Sequence, residues 1–422
     1  MQAVSIRIHL VLLTAAFVTA PLSSYAQSQS VASRASAATP KTAGSSNSSA
    51  EEEFNTLRLK GNEAVYNLEY QAAREMFERM TKLVPDHPAG YVYLANNFWL
   101  ELLNANRRLS SSLYSGGSFY EQDAEQDAID PVRERQFNDL TRKALAVALA
   151  RIRKDPRDVE ALYYQGAVLG LKASFNVTVK RSFRRAIGDA NESISIQRKV
   201  IKLDPNYVDA YLSIGLYDYI VDSLPWVWKT LARLAGVSGS KKRGIERLEM
   251  VTKSGKFTSD DARVVLIGIY TREAQPERAL EIITHLATKY PSNYLLGVER
   301  AGMLFRMNRT AEGDQAFADL VKDNRISQVA PDLVNWQWGQ ALREKGNYAK
   351  ALERYNEVIA WKKSDQSLVT LAHLNSGLAL DALGKREQAV AKYQEVLKRE
   401  NVYDSRKVAG QHVNKPYVPA GS

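Results

Sequence analysis

Residues 57–88 read LRLKGNEAVYNLEYQAAREMFERMTKLVPDHP, and in them Gly61, Ala73, Phe77 and Pro85 stand at offsets 0, 12, 16 and 24. Apolar residues recur there at helical rather than alternating spacing, which predicts helices and no strands. The offsets return towards the other end of the chain, at Gly339, Ala351 and Tyr355 and again at Gly377, Ala389 and Tyr393, the two glycines being 38 residues apart. Self-similarity of this kind marks a repeat array, in which each unit buries its apolar face only against its neighbours. A small residue in each helix lets two helices approach closely, an aromatic fills the seam, and a proline stops the second helix.

On these residues the chain resembles the tetratricopeptide-repeat family, whose unit is a pair of antiparallel helices of about 34 residues. The resemblance implies an all-α, right-handed superhelical solenoid of about eight helix pairs. Ala279 with Pro291, and Gly313 with Phe317, supply further units, while Pro156 and Pro205 close two more. The period breaks where Pro85 to Pro156 spans 71 residues, Pro156 to Pro205 spans 49 and Pro205 to Pro291 spans 86. The excess is read as insertions between the two helices of a unit, which project from one face of a solenoid. The stretch Gly215 to Met250 also resembles a eukaryotic subgroup of the family linked to the mitochondrial outer membrane and inclusion-body clearance, through its G-L-Y, S-L-P, R-G-I and L-E elements.

The first 26 residues hold Arg7, an apolar run from Leu10 to Ala20 and the small-residue site Ser24-Tyr25-Ala26. This is the pattern of a cleavable secretory signal whose apolar run is too short to span a bilayer. Export, and a periplasmic location, are the expectation. Residues 27–50 contain eight Ser and six Ala and almost no large apolar side chain, the composition of a flexible linker. The array is then expected over 51–400, irregular to about 257 and regular over 258–400, with a basic tail at 401–422. The chain has no Cys, which removes disulfides, thiolate metal sites, thiol nucleophiles and a lipid-anchor cysteine. Its formal charge of +10 comes from 57 basic and 47 acidic residues. Arg7, Arg34, Lys41 and the tail from Lys398 carry enough of this to leave only +4 on the array from Glu51 to Leu397, so the charge is no nucleic-acid footprint.

Catalytic patterns are missing. No dinucleotide, P-loop, zinc-protease or nucleophile-elbow motif occurs, and His87, His285, His373 and His412 fall in separate units. Ser238-Gly-Ser-Lys241 matches S-x-x-K without its companion motifs and lies in a Gly-rich turn. No catalytic residue, metal or cofactor is expected, and the function read from the array is that of a scaffold for a protein or peptide partner.

In the family the partner lies along the inner groove, and the positions that face it here are Arg58 and Asn62 in the first unit and Trp336 and Gln340 in a late one, with Arg343 one turn on. Arg58 and Asn62 resemble half of a carboxylate clamp, but Tyr93, Tyr163 and Ala167 replace the other clamp residues. A second class of partner, a membrane or another anionic envelope component, is suggested by the basic stretch from Lys172 to Lys202, with Arg181, Arg184 and Arg185, and by Lys241, Lys242 and Arg243. Neutralisation of that basic face by the acidic insertion at 106–131 is the alternative. Trp226 and Trp228 open an apolar stripe that either packs a seam between units or lies on a membrane.

Overall fold

A computed structural model describes residues 45–109, 129–224, 226, 229–230 and 238–419, the side chains of 45–48, 183 and 184 excepted. Among the described residues there are eighteen helices and no strand. They follow one another as pairs: α1 (Ser45–Tyr66) and α2 (Tyr70–Leu83), α3 (Pro88–Ala105) and α4 (Pro131–Lys154), α5 (Val159–Thr178) and α6 (Phe183–Leu203), α7 (Ala210–Ser223) and α8 (Lys241–Ser254). Then come α9 (Ser259–Arg272) and α10 (Pro276–Lys289), α11 (Tyr294–Arg306) and α12 (Thr310–Lys322), the single turn α13 (Asn324–Val329), α14 (Pro331–Glu344) and α15 (Tyr348–Ala360), and α16 (Gln366–Ala382) and α17 (Arg386–Leu397). A last helix, α18 (Ser405–Asn414), packs on α17.

The repeated offsets have a direct physical meaning. Gly61 lies against the ring of Phe77, Gly339 against Tyr355 and Gly377 against Tyr393, in each case so closely that a β-carbon on the glycine would overlap the ring edge. The aromatic at offset 16 thus occupies the space that the missing side chain at offset 0 leaves between the two helices. All three rings are fully buried. In the α7–α8 pair no ring intervenes: Gly215 and Gly244 face each other backbone to backbone. Local signals start the helices, as where the Asp158 carboxylate accepts the Ala161 N–H at 2.9 Å to cap α5. Asp130 does the same for Val132 at 2.8 Å, ahead of Pro131 in the first turn of α4.

The helices gather into two compact bodies. The first comprises the described residues of 45–102 and 129–266, and the second those of 103–109 and 267–419. In the first, Phe77 stacks on Tyr93 with ring centroids 5.2 Å apart, Phe137 stacks on Phe175 at 3.9 Å, and the Trp99 indole donates to Thr178 Oγ1 at 2.9 Å. In the second, Phe317, Trp336, Tyr355 and Leu368 belong to one continuous core. There the Arg107 guanidinium is 3.0 Å from the carboxylate of Asp332, whose side chain is fully buried.

Two of the three expected insertions lie where the spacing puts them, between α3 and α4 and between α7 and α8. The third does not exist as a loop. The extra residues between Pro156 and Pro205 lengthen α5 and α6 to 20 and 21 residues, against 13 in each of α11 and α12. An unbroken run of helix-compatible residues extends a helix more readily than it forms a loop, because each added residue gains a backbone hydrogen bond. Residues 45–50, read as linker, form the start of α1, and the basic tail contains α18. The tail is bolted down: Arg386 donates to the Val413 carbonyl at 2.6 Å, and the Tyr417 N–H donates to Asp381 at 2.9 Å.

Candidate functional site

Within the first body the helix pairs curl until α1 meets the turn between α8 and α9. The Tyr66 hydroxyl donates to Asp261, and the Arg58 guanidinium lies over the Phe257 ring, 3.5 Å from its centroid. Through these two contacts the inner side of α1 packs against the α8–α9 turn and the start of α9. Asn62 is 1% exposed and donates its amide to the Arg58 carbonyl at 2.7 Å. Tyr93, Tyr163 and Tyr164 line the same interior and are buried; burial pushes their hydroxyls above the ordinary tyrosine range.

Beside these contacts lies a cleft of about 700 Å³. Its walls come from α1 (Phe54, Asn55, Arg58), the α2–α3 turn (Leu83, Val84, His87), Glu160 of α5, the α6–α7 turn (Asp204 to Asp209) and the α8–α9 turn (Ser254, Lys256, Phe257). Arg58 is 3% exposed. Its Nη1 reaches the Tyr164 hydroxyl at 3.4 Å, its Nη2 donates to Asn55 Oδ1, and its Nε has no acceptor. Burial opposes the guanidinium charge, but Tyr164, Tyr93 and Glu160 together hold it above its ordinary pKa.

Two acidic groups of the cleft, Glu160 and Asp209, are already engaged. Glu160 lies 3.1 Å from His87 Nε2 and 3.6 Å from Arg151. Burial alone would raise its carboxyl, but His87, Arg151 and Arg58 bring it below the ordinary range. His87 Nδ1 accepts the Ala89 N–H at 3.1 Å, which leaves Nε2 as the donor towards Glu160. Asp209 Oδ1 accepts from the Phe257 N–H at 2.7 Å and from the Thr258 N–H and hydroxyl at 2.8 and 2.9 Å. It thereby fixes the turn that presents Phe257 to Arg58, and burial raises its carboxyl pKa despite these donors.

The structure separates the other residues singled out in the sequence. Trp336 is 8% exposed and packs on Tyr355, whose hydroxyl donates to Gln340 at 2.6 Å, with Arg343 beside that hydroxyl. This trio is occupied within the second body. The cation over an aromatic face there is Arg354, 4.7 Å from the ring of Trp338. Of the basic stretch, Lys180 pairs with Glu134, Lys172 with Asp189 at 3.3 Å, and Arg181 is buried at a left-handed turn. Glu134 of α4 and Asp189 of α6 thus pair with two of its cations, and most of the acidic insertion lies outside the described residues. Arg185 is exposed, and the Arg184 side chain lies outside the described residues. Lys241 lies over Tyr219, Lys242 is 4.0 Å from Glu246, and Arg243 pairs with the buried Asp218 at 3.1 Å. Trp226 is 79% exposed, and Trp228 lies outside the described residues. Spacing marked Arg58, whereas Phe257 and Glu160, far from it in sequence, carried no signal of joining it.

Residues 371–400, which span most of α16 and all of α17, match the sequence model of the family described as tetratricopeptide repeat. No curated protein matches the chain. Among solved structures, the human IFIT1 dimer with m7Gppp-AAAA is 12% identical, with 88% of this chain and 85% of that one covered and a TM-score of 0.43. Yeast Tom70 is 11% identical over 87% and 92% of the two chains at 0.40. A tetratricopeptide-repeat protein from Parabacteroides merdae is 13% identical over 76% and 99% at 0.32. At these values the likenesses bear on neither partner nor site. The family match at 371–400 contains the Gly377–Tyr393 seam, which recurs at Gly339–Tyr355 and Gly61–Phe77, so the chain carries a tetratricopeptide repeat at 371–400 within an array of similarly packed helix pairs.

Proposed function

We propose that the chain is an exported scaffold that binds a protein partner in a groove between α2, α3 and α4. The observation that carries this reading is the groove's composition. It measures about 600 Å³ and is lined by Leu94, Phe98, Leu140 and the half-exposed Val132. Glu78, Arg133, Asp139 and the Arg74–Glu101 ion pair line it as well. Apolar side chains exposed among charged ones are the composition of a protein interface. Of the groove positions read in the sequence, Arg58 and Asn62 are buried within the first body. Export rests on the signal-like residues 1–26. The test is a photo-crosslinking residue at Gln136 of the full chain, irradiated in the native envelope. A discrete adduct that disappears in Val132→Asp supports the reading, and an adduct pattern indifferent to that substitution rejects it.

A second reading, contact with an anionic envelope surface, is favoured by the exposed Arg185, Arg198, Lys199 and Lys202 of α6 and by the exposed Trp226. Flotation with anionic vesicles at low and high salt tests it, and absence from the floating fraction at low salt rejects it.

A further inference from the structure

The cleft at Arg58 holds a cation of unusual standing. Buried charges are ordinarily paired, yet among the described residues no carboxylate approaches the Arg58 guanidinium within 4 Å. Its polar neighbours are one long contact to Tyr164 and the Asn55 amide, and its Nε–H lacks an acceptor. Phe257 covers one face of the guanidinium plane, which leaves the edge, the direction in which an arginine forks onto an oxyanion. The cleft volume of about 700 Å³ suits a small organic molecule.

We propose that this cleft binds a small organic monocarboxylate, with the carboxylate on Arg58 and an apolar body against Phe54, Leu83, Val84 and Val208. The ligand carries a single negative charge because four carboxylates, Glu51, Glu160, Asp204 and Asp209, line the cleft against the two cations Arg58 and Lys256, and this excess opposes a second negative charge. The same carboxylates disfavour phosphates and polyanions. The apolar body follows from Phe54, Leu83, Val84 and Val208, the aromatic and aliphatic part of a wall that is otherwise polar. This site is separate from the groove beside Val132, so either reading stands or falls without the other.

The test is titration calorimetry of the full chain with phenylacetate and hexanoate, with their amides, and with phenyl phosphate. The expected result is that the acids bind, and that the amides and phenyl phosphate each bind at least about tenfold more weakly. Arg58→Met lowers acid affinity at least about tenfold in a variant whose circular dichroism spectrum remains that of the native chain. Should Arg58→Met fail to fold, Val208→Trp decides: it fills the cleft from a half-buried turn position, leaves Arg58 in place, and abolishes acid binding. The proposal is overturned if neither acid binds at millimolar concentration, if the amides or the phosphate match the acids, or if folded Arg58→Met or Val208→Trp binds as the native chain does.

Discussion

At the scale of single residues, the glycines divide into two kinds that only packing distinguishes. A β-carbon at Gly339 would stand 2.5 Å from the ring of Tyr355, and that ring is fully buried with nowhere to retreat. Gly339→Ala therefore destabilises the second body by about 1–3 kcal/mol through overpacking. Gly188, inside α6, has nothing within 4 Å of the same position. Gly188→Ala stabilises by about 0.5–1 kcal/mol, because it removes backbone freedom from the unfolded chain at no steric cost. Urea denaturation of both variants checks the pair, and equal shifts in one direction would refute the distinction. The seam glycines could be found from their spacing to an aromatic 16 residues on. The fate of Arg58 could not, since its burial comes from Phe257, 199 positions away in the chain.

At the scale of helices, the end of α3 shows how a loop junction becomes a structural joint. Arg107 adopts a left-handed backbone conformation. From there it reaches both the Val329 carbonyl at 2.7 Å and the Asp332 carboxylate. Asp332 sits in the first turn of α14, where the helix dipole favours a negative charge, and it also accepts the Asp365 N–H at 3.1 Å. Removal of one partner strands the other charge, so Arg107→Ala costs about 3–5 kcal/mol. Arg107→Met combined with Asp332→Asn costs less than the sum of the single changes, which a double-mutant cycle by denaturation measures. Helix ends were legible from prolines such as Pro156 and Pro205, which follow α4 and α6. The lengthening of α5 and α6 was not, because a count of residues between prolines cannot tell a longer helix from an inserted loop.

At the scale of the whole molecule, the balance of buried titratable groups sets the response to acid. His373 is 7% exposed; burial first, and then Lys392 and Arg399, lower its pKa from 6.5 to about 4. Above 6.5 the imidazole is neutral in both folded and unfolded chains. Between 6.5 and 4 the unfolded chain takes up a proton that the folded one refuses, so stability falls with pH, on the order of 2 kcal/mol from this residue. Glu160, with its lowered pKa, loses its contribution in the same direction as pH falls, whereas the raised Asp209 and Asp365 act oppositely. Comparison of urea midpoints at about pH 7.5 and 4.5 in the native chain and in His373→Gln isolates the histidine. An unchanged difference in the variant would show that it contributes nothing. What the sequence alone determined is the helical repeat: the spacing of small, aromatic and proline residues, the order of the helix pairs, and the want of any catalytic pattern. These are readable because each depends on residues within one or two units of each other. The closing of α1 onto the α8–α9 turn, the unpaired guanidinium in its cleft and the joint at Arg107 were decided only by tertiary structure. They bring together residues some 200 positions apart, and a pattern with a period near 34 holds no record of where the curl of the array places its first helix.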